Sequence, residues 1–259
     1  MIPKSFVFAL CALSLAQPAF GQGTAFRDNF DKLDLSRWYV SDGWSNGAHQ
    51  NCTWSADQAK AAGGNLRVGF APVPKGARQY RCGEIQTRTA YGFGTFEARL
   101  KTPAGSGLNA AFFTYIGPQQ GKPHDEIDFE ILLKDTGHVD TTTFVNGVSG
   151  DGEVGAGQSH ALPYPSDSDF TTFAYTWEPD RVRYYIDGEL VRTIDDPKMV
   201  PSNAQRIFFS LWGSDTLTEW MGAFTPVTTP IAMEVDWVAF TPLGEGCAFD
   251  DSILCQEDN

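Results

Sequence analysis

Polar and apolar residues alternate along short segments of this chain, and such segments recur from one end to the other. Asn65-Leu66-Arg67-Val68-Gly69-Phe70 and Thr95-Phe96-Glu97-Ala98-Arg99-Leu100 both follow a period of two. That period belongs to strands with one face in a core. Residues 83–89, 173–177, 207–212 and 233–240 read as further strands, and the aromatic run 110–116 reads as a strand buried on both faces. Arg181-Val182-Arg183-Tyr184-Tyr185-Ile186 and Glu189-Leu190-Val191-Arg192 flank Asp187-Gly188. An Asp-Gly pair between two alternating runs predicts a tight hairpin on a type I′ turn. The stretch around Asn51-Cys52-Thr53-Trp54 reads as loop, and residues 195–200 hold at most one turn of helix. Many short strands without interleaved helices predict an all-β fold, a curved two-sheet β-sandwich or jelly roll.

One strand differs from the rest. In His124-Asp125-Glu126-Ile127-Asp128-Phe129-Glu130-Ile131-Leu132 the period of two puts Glu126, Asp128 and Glu130 on one face. Ile127, Phe129 and Ile131 take the other. Acids are depleted in strands, and three in a row repel one another. A solvated edge strand would explain them, but the strongly apolar opposite face points to a central strand. Acids clustered on a central strand point instead to acid/base chemistry. Two carboxyl groups flanking a sugar ring cleave glycosidic bonds, and a third beside them separates their protonation states. Strand geometry sets Cα atoms four residues apart at roughly 13 Å. Retention requires carboxyls about 5–5.5 Å apart and inversion about 6.5–9.5 Å, so spacing leaves the stereochemistry open.

Composition narrows the partners. The chain has 259 residues, 42% hydrophobic and 13% aromatic, with a formal charge of −13. Phosphate binding relies on Lys and Arg clusters, which are missing here, so neither nucleic acid nor an anionic membrane is an expected partner. Lys4, an apolar run from Phe6 to Ala16, and small residues at Ala19 and Gly21 form a secretory signal peptide over residues 1–21. Its removal takes the charge to −14. Residues 22–259 show no repeat or linker and read as one domain, secreted or periplasmic, and monomeric. Its Cys52, Cys82, Cys247 and Cys255 allow three pairings; proximity favours Cys52–Cys82 and Cys247–Cys255, the latter clipping a short C-terminal tail. Zinc is the competing reading, but no C-x-x-C occurs and the histidines lack ligand spacing.

Asp125-Glu126-Ile127-Asp128-Phe129-Glu130 resembles the E-x-D-x-E signature of glycoside hydrolase family 16. Asn51-Cys52-Thr53, Cys82-Gly83-Glu84, Tyr91-Gly92-Phe93-Gly94, Leu133-Lys134-Asp135-Thr136, Tyr185-Ile186-Asp187-Gly188 and Leu211-Trp212 extend the resemblance to the lichenase-like branch. Within it, the chain is most similar to secreted glycanases that depolymerise succinoglycan-type exopolysaccharide. The resemblance implies a jelly roll with a concave substrate cleft and a retaining mechanism. Glu126 would be the nucleophile, Glu130 the general acid/base and Asp128 the assisting acid. It also implies sugar contacts at Asn46, Glu84, Phe113, Tyr115 and Trp212, and supports the Cys52–Cys82 pairing. No cofactor is implied for the chemistry; a structural calcium would sit at Asn29, Gly64 and Asp236, mainly on backbone oxygens.

Three departures bear on the substrate. His124 stands where lichenases carry Trp, Gln86 where they carry Arg, and Ser210 where they carry Asn. They suit a different or decorated glucan, with His124 a contact to substrate or to a neighbouring acid. An acidic exopolysaccharide would need cations near the cleft, for which Arg81, Arg88 and Lys122 are candidates. The implied reaction is therefore endo-hydrolysis of a succinoglycan-type polymer, with mixed-linkage β-1,3-1,4-glucan as the alternative. A lectin without activity and a transglycosylase are rivals from other classes.

Overall fold

The computed structural model describes residues 23–149 and 157–255; the signal-peptide reading of residues 1–21 lies outside them. Sixteen strands occur among the described residues. In chain order they are β1 Phe26–Asp28, β2 Trp38–Val40, β3 Cys52–Trp54, β4 Ala59–Ala62, β5 Asn65–Ala71, β6 Tyr80–Thr87, β7 Gly94–Lys101 and β8 Leu108–Ile116. There follow β9 Asp125–Leu132, β10 His138–Phe144, β11 Gln158–Ala161, β12 Thr171–Glu178, β13 Arg181–Ile186, β14 Glu189–Ile194, β15 Arg206–Gly213 and β16 Ile231–Pro242.

The strands form two layers joined through β6. One runs β11-β10-β9-β8-β15-β6, the other β5-β16-β7-β12-β13-β14, with β1 to β4 added at their margins. All neighbours are antiparallel except β3, which lies parallel to β6. Strand β6 serves both layers: Gly83 to Gln86 pair with β15, while Arg81 and Cys82 pair with β5. At the crossover a Cβ on Gly83 would lie 2.5 Å from the Gln58 carbonyl oxygen, so only glycine lets the backbones approach this closely.

The facing surfaces of the layers make the core. Phe129 packs on Phe173 and Tyr184, each with ring centroids 5.2 Å apart, and Phe112 stacks on Phe209. Two buried tyrosines cross-link the layers: Tyr175 donates to Thr114 Oγ1 and Tyr184 to the Thr142 carbonyl, both at 2.8 Å. The β13–β14 hairpin turns on Asp187 and Gly188 with φ of 46° and 85°, the left-handed pair that a type I′ turn requires.

Three local expectations change. Residues 52–54 are a strand, held beside β6 by the Cys52–Cys82 disulfide. Residues 195–200 form no helix; Asp196 Oδ1 accepts from the Lys198 amide and closes an Asx turn. Strand β8 is not buried on both faces throughout, because Phe113 and Tyr115 are half-buried and open onto a cleft. The second disulfide is Cys247–Cys255, and its tail docks on the layer that contains β7. There Ser252 Oγ and the Ile253 amide donate to the buried Glu97 carboxyl at 2.7 and 2.9 Å.

Candidate active site

Strand β9 sits between β8 and β10, so its acids lie in the interior of a sheet and not at its edge. Ile127, Phe129 and Ile131 are buried under it. Each such side chain contributes roughly 1.5–3 kcal/mol, which helps offset the cost of crowding carboxyls on the opposite face.

Strand register lays out the cleft floor in three rows. Glu126 lies beside Tyr115, which lies beside Arg206. Asp128 is followed by Phe113, Phe208 and Gln86, and Glu130 by Ala111, Ser210 and Glu84. Apart from Arg206, these side chains line an open cleft of about 470 Å³, walled by Trp44, Asn46, His124 and Trp212. The five residues to which the resemblance gives sugar contacts, Asn46, Glu84, Phe113, Tyr115 and Trp212, and His124, which departs from the family, therefore line one space. Phe113 belongs to the floor, stacked on Phe208 at 4.8 Å.

The three acids differ in their surroundings. Asp128 is 3% exposed. Burial, then the negative fields of Glu126 and Glu130, hold its carboxyl well above the usual range, and it is hydrogen-bonded to Glu126. Glu130 faces the cleft in part, yet burial lifts it to about 7, aided by Glu126 and Asp140. A hydrogen bond from Asn109 Nδ2 to Glu130 Oε1, at 2.9 Å, opposes that rise. Glu126 is bonded by His124 Nε2 at 2.6 Å. This contact raises the imidazole's own pKa, against a smaller opposing effect of burial. His124 in turn stacks on Phe144 and meets Tyr115 edge-on.

Glu84 is a fourth unusual acid. Burial pushes it up to about 7, and Ser41 Oγ donates to it at 2.5 Å. Asp125 points away from the cleft: its carboxylate accepts from the amides of Asn146, Ser202 and Asn203 and from Asn203 Nδ2. It ties two loops to the start of β9.

Sequence reasoning passed over Asn109, Ser41, Phe208 and Trp44. Asn109 shares parity with Phe113 and Tyr115, a signal that becomes usable once their face is known. Phe208 and Trp44 reach the cleft, and Ser41 reaches Glu84, from segments far apart in the chain. Of the cations considered for an acidic substrate, Arg81 is paired with Asp57 at 2.7 Å and Lys122 does not line the cleft. Arg88 lies at its margin.

A sequence profile for glycosyl hydrolases family 16 matches residues 46–239. The chain belongs to that family. Among its relatives is an endo-1,3-1,4-beta-glycanase, ExoK, of Rhizobium meliloti, 50% identical over 232 residues, covering 90% of this chain and 84% of the relative. A beta-glucanase of Brevibacillus brevis is 36% identical over 223 residues, covering 85% of this chain and 83% of that one. The crystal structure of a β-1,3-1,4-glucanase (lichenase) from a mouse hindgut metagenome superposes with a TM-score of 0.79 at 32% identity, covering 85% of this chain and 100% of that one. The family-16 chain is thus a glycoside hydrolase with an all-β jelly-roll fold.

The residues considered for calcium lie away from the cleft. Pairing of β1 and of β5 with β16 brings Asn29 and Gly64 towards Asp236, at a bulge in β16. Asn29 Oδ1 already accepts from Arg27 Nε, and the Asp236 carboxylate pairs with Arg99. These side chains do not form an anionic cage, so main-chain carbonyls are the donors left for a cation. No group of three or more His, Cys, Asp or Glu suited to a metal occurs among the described residues.

Proposed function

We propose that this family-16 enzyme is an exported endo-β-glycanase of one catalytic domain that cuts internal β-glucosidic bonds by double displacement. The observation that carries the proposal is the ranking of three in-line carboxyls by their surroundings. Glu130, lifted to about 7, holds a proton in mildly acidic solution and is suited to a general acid. Glu126, aligned by His124 and Asp128, is suited to the nucleophile.

In the first step Glu130 gives its proton to the glycosidic oxygen as the bond to the anomeric carbon breaks. Glu126 attacks that carbon from the opposite side, forming a glycosyl ester. In the second step Glu130, now a carboxylate, takes a proton from water, and the water oxygen displaces Glu126. Asp128 keeps its proton throughout and donates to Glu126, steadying the carboxylate as it leaves.

For substrate, the relatives' names support a β-1,3-1,4-linked backbone. Gln86, Ser210 and His124 in the cleft favour a decorated polymer of the succinoglycan type over plain mixed-linkage glucan. Cleavage of succinoglycan, lichenan and laminarin, compared side by side by viscosity and product size, tests the choice. Azide tests the roles. Glu130→Ala should be rescued to a β-glycosyl azide and Glu126→Ala to the α-anomer, each from activity reduced by about 10²–10⁴ or more; the reverse pattern would exchange the two roles. Added acceptor sugar separates hydrolysis from transglycosylation.

A further inference from the structure

A second pocket of about 350 Å³ opens off the cleft and shares Trp44, Gln86, Gln119 and Gln120 with it. Strand periodicity explains its lining. Arg206 precedes Phe208 by two positions on β15, and Arg88 follows Gln86 by two beyond the end of β6. Both guanidinium groups therefore continue the floor that carries the acids, on the row that begins with Glu126. Tyr39 and Trp44 complete the pocket and are 38% and 37% exposed, among the most exposed large rings of the described residues.

The charge pattern is what sets this pocket apart. Most other arginines face an Asp or Glu, as expected in a chain of net charge −13. Arg88 and Arg206 have no carboxylate partner among the described residues. Arg88 donates through Nε to the Leu35 carbonyl at 2.8 Å and lies 5.7 Å from the Tyr39 ring centroid. Arg206 donates through Nη1 to Gln86 Oε1 at 2.9 Å. Remaining N–H groups on each are available, and a guanidinium edge matches a carboxylate in a two-point bond.

We propose that this pocket binds a carboxylate-bearing sugar unit or substituent of the polysaccharide and selects acidic over neutral chains. The rings supply pyranose stacking, the amide of Gln120 supplies hydroxyl contacts, and the two arginines supply the charge. The proposal deepens the glycanase reading and rests on it.

Partially succinylated mixed-linkage β-glucan, the same glucan acetylated to equal density, the same glucan oxidised to uronate at C6, and unmodified glucan form the test series. A charged hydrogen bond contributes enough for the wild-type enzyme to prefer the succinylated over the acetylated polymer by about tenfold in kcat/KM. Preference for the uronate arm as well would place the carboxylate close to the ring; preference for the succinyl arm alone would place it on a side arm. Arg88→Gln/Arg206→Gln should bring the ratio to about one, mainly through KM, whereas a structural lesion would lower both substrates alike and overturn the proposal. Should that variant not fold, the wild type still decides: about 0.5 M NaCl must erase most of the preference, because exposed charges are screened. A ratio of one or less in the wild type sinks the pocket alone. Failure to cleave these four polymers together with succinoglycan and laminarin sinks the glycanase reading itself.

Discussion

Glu130 shows how far a single residue depends on its neighbours. Burial lifts its carboxyl to about 7, and Asn109 holds it from going higher. In its proposed role of general acid it must be protonated, so kcat/KM should fall as pH rises through about 7. Asn109→Ala removes the opposing hydrogen bond, so the descending limb should move to higher pH while the rate drops. A limb unmoved in that variant would assign it elsewhere. Glu84 also lies near 7, and Glu84→Gln separates the two: the limb should survive this substitution if Glu130 causes it. His124 acts at the same scale, through a 2.6 Å bond to Glu126, the proposed nucleophile. His124→Gln, which can still donate, should keep more activity than His124→Phe, which cannot; equal losses would reduce His124 to packing against Phe144.

At the scale of elements, β6 is the strand on which most depends. It passes from one layer to the other at Gly83 and carries Glu84 to the cleft floor. Cys82 anchors it to β3 through a disulfide spanning 30 residues, whereas Cys247–Cys255 spans 8. In the loop-entropy account, closing the longer loop contributes about 3–4 kcal/mol and the shorter about 2–3 kcal/mol. Replacing Cys52 and Cys82 by Ser should therefore lower Tm more than replacing Cys247 and Cys255. It should also reduce activity, because Glu84 follows two residues after Cys82. Loss of the tail disulfide should instead loosen the cover over Glu97, seen as faster hydrogen exchange at Ile253 with cleavage intact.

For the whole molecule, raised carboxyls make stability depend on pH in a stated direction. Glu84 and Glu130 hold protons up to about 7 when folded, while an unfolded chain releases them near 4.5. Between those values the folded state binds more protons, so stability falls as pH rises and the effect is complete above about 7. For Glu84 the shift corresponds to roughly 3 kcal/mol. Tm should be higher at pH 5 than at pH 7.5, and Glu84→Gln should shrink the difference. A Tm that rises over this interval would contradict the burial of these acids.

Much of this protein follows from local pattern. Alternation determined most of the long strands, and Asp187-Gly188 the hairpin between β13 and β14, because a strand's faces and a type I′ turn are properties of adjacent residues. The common face of Glu126, Asp128 and Glu130 was legible for the same reason. Local pattern did not rank them; the family resemblance did, and the physical basis of the ranking depends on Asn109, Asp140 and His124 reaching them from β8, β10 and the loop before β9. Nor did local pattern show that 110–116 has one face in a cleft, that Cys52–Trp54 is a strand, or that Arg88 and Arg206 share a pocket. Those facts arise where β6, β8 and β15 come into register. Sequence carries periodicity, while burial and charge partners exist only once distant strands lie side by side.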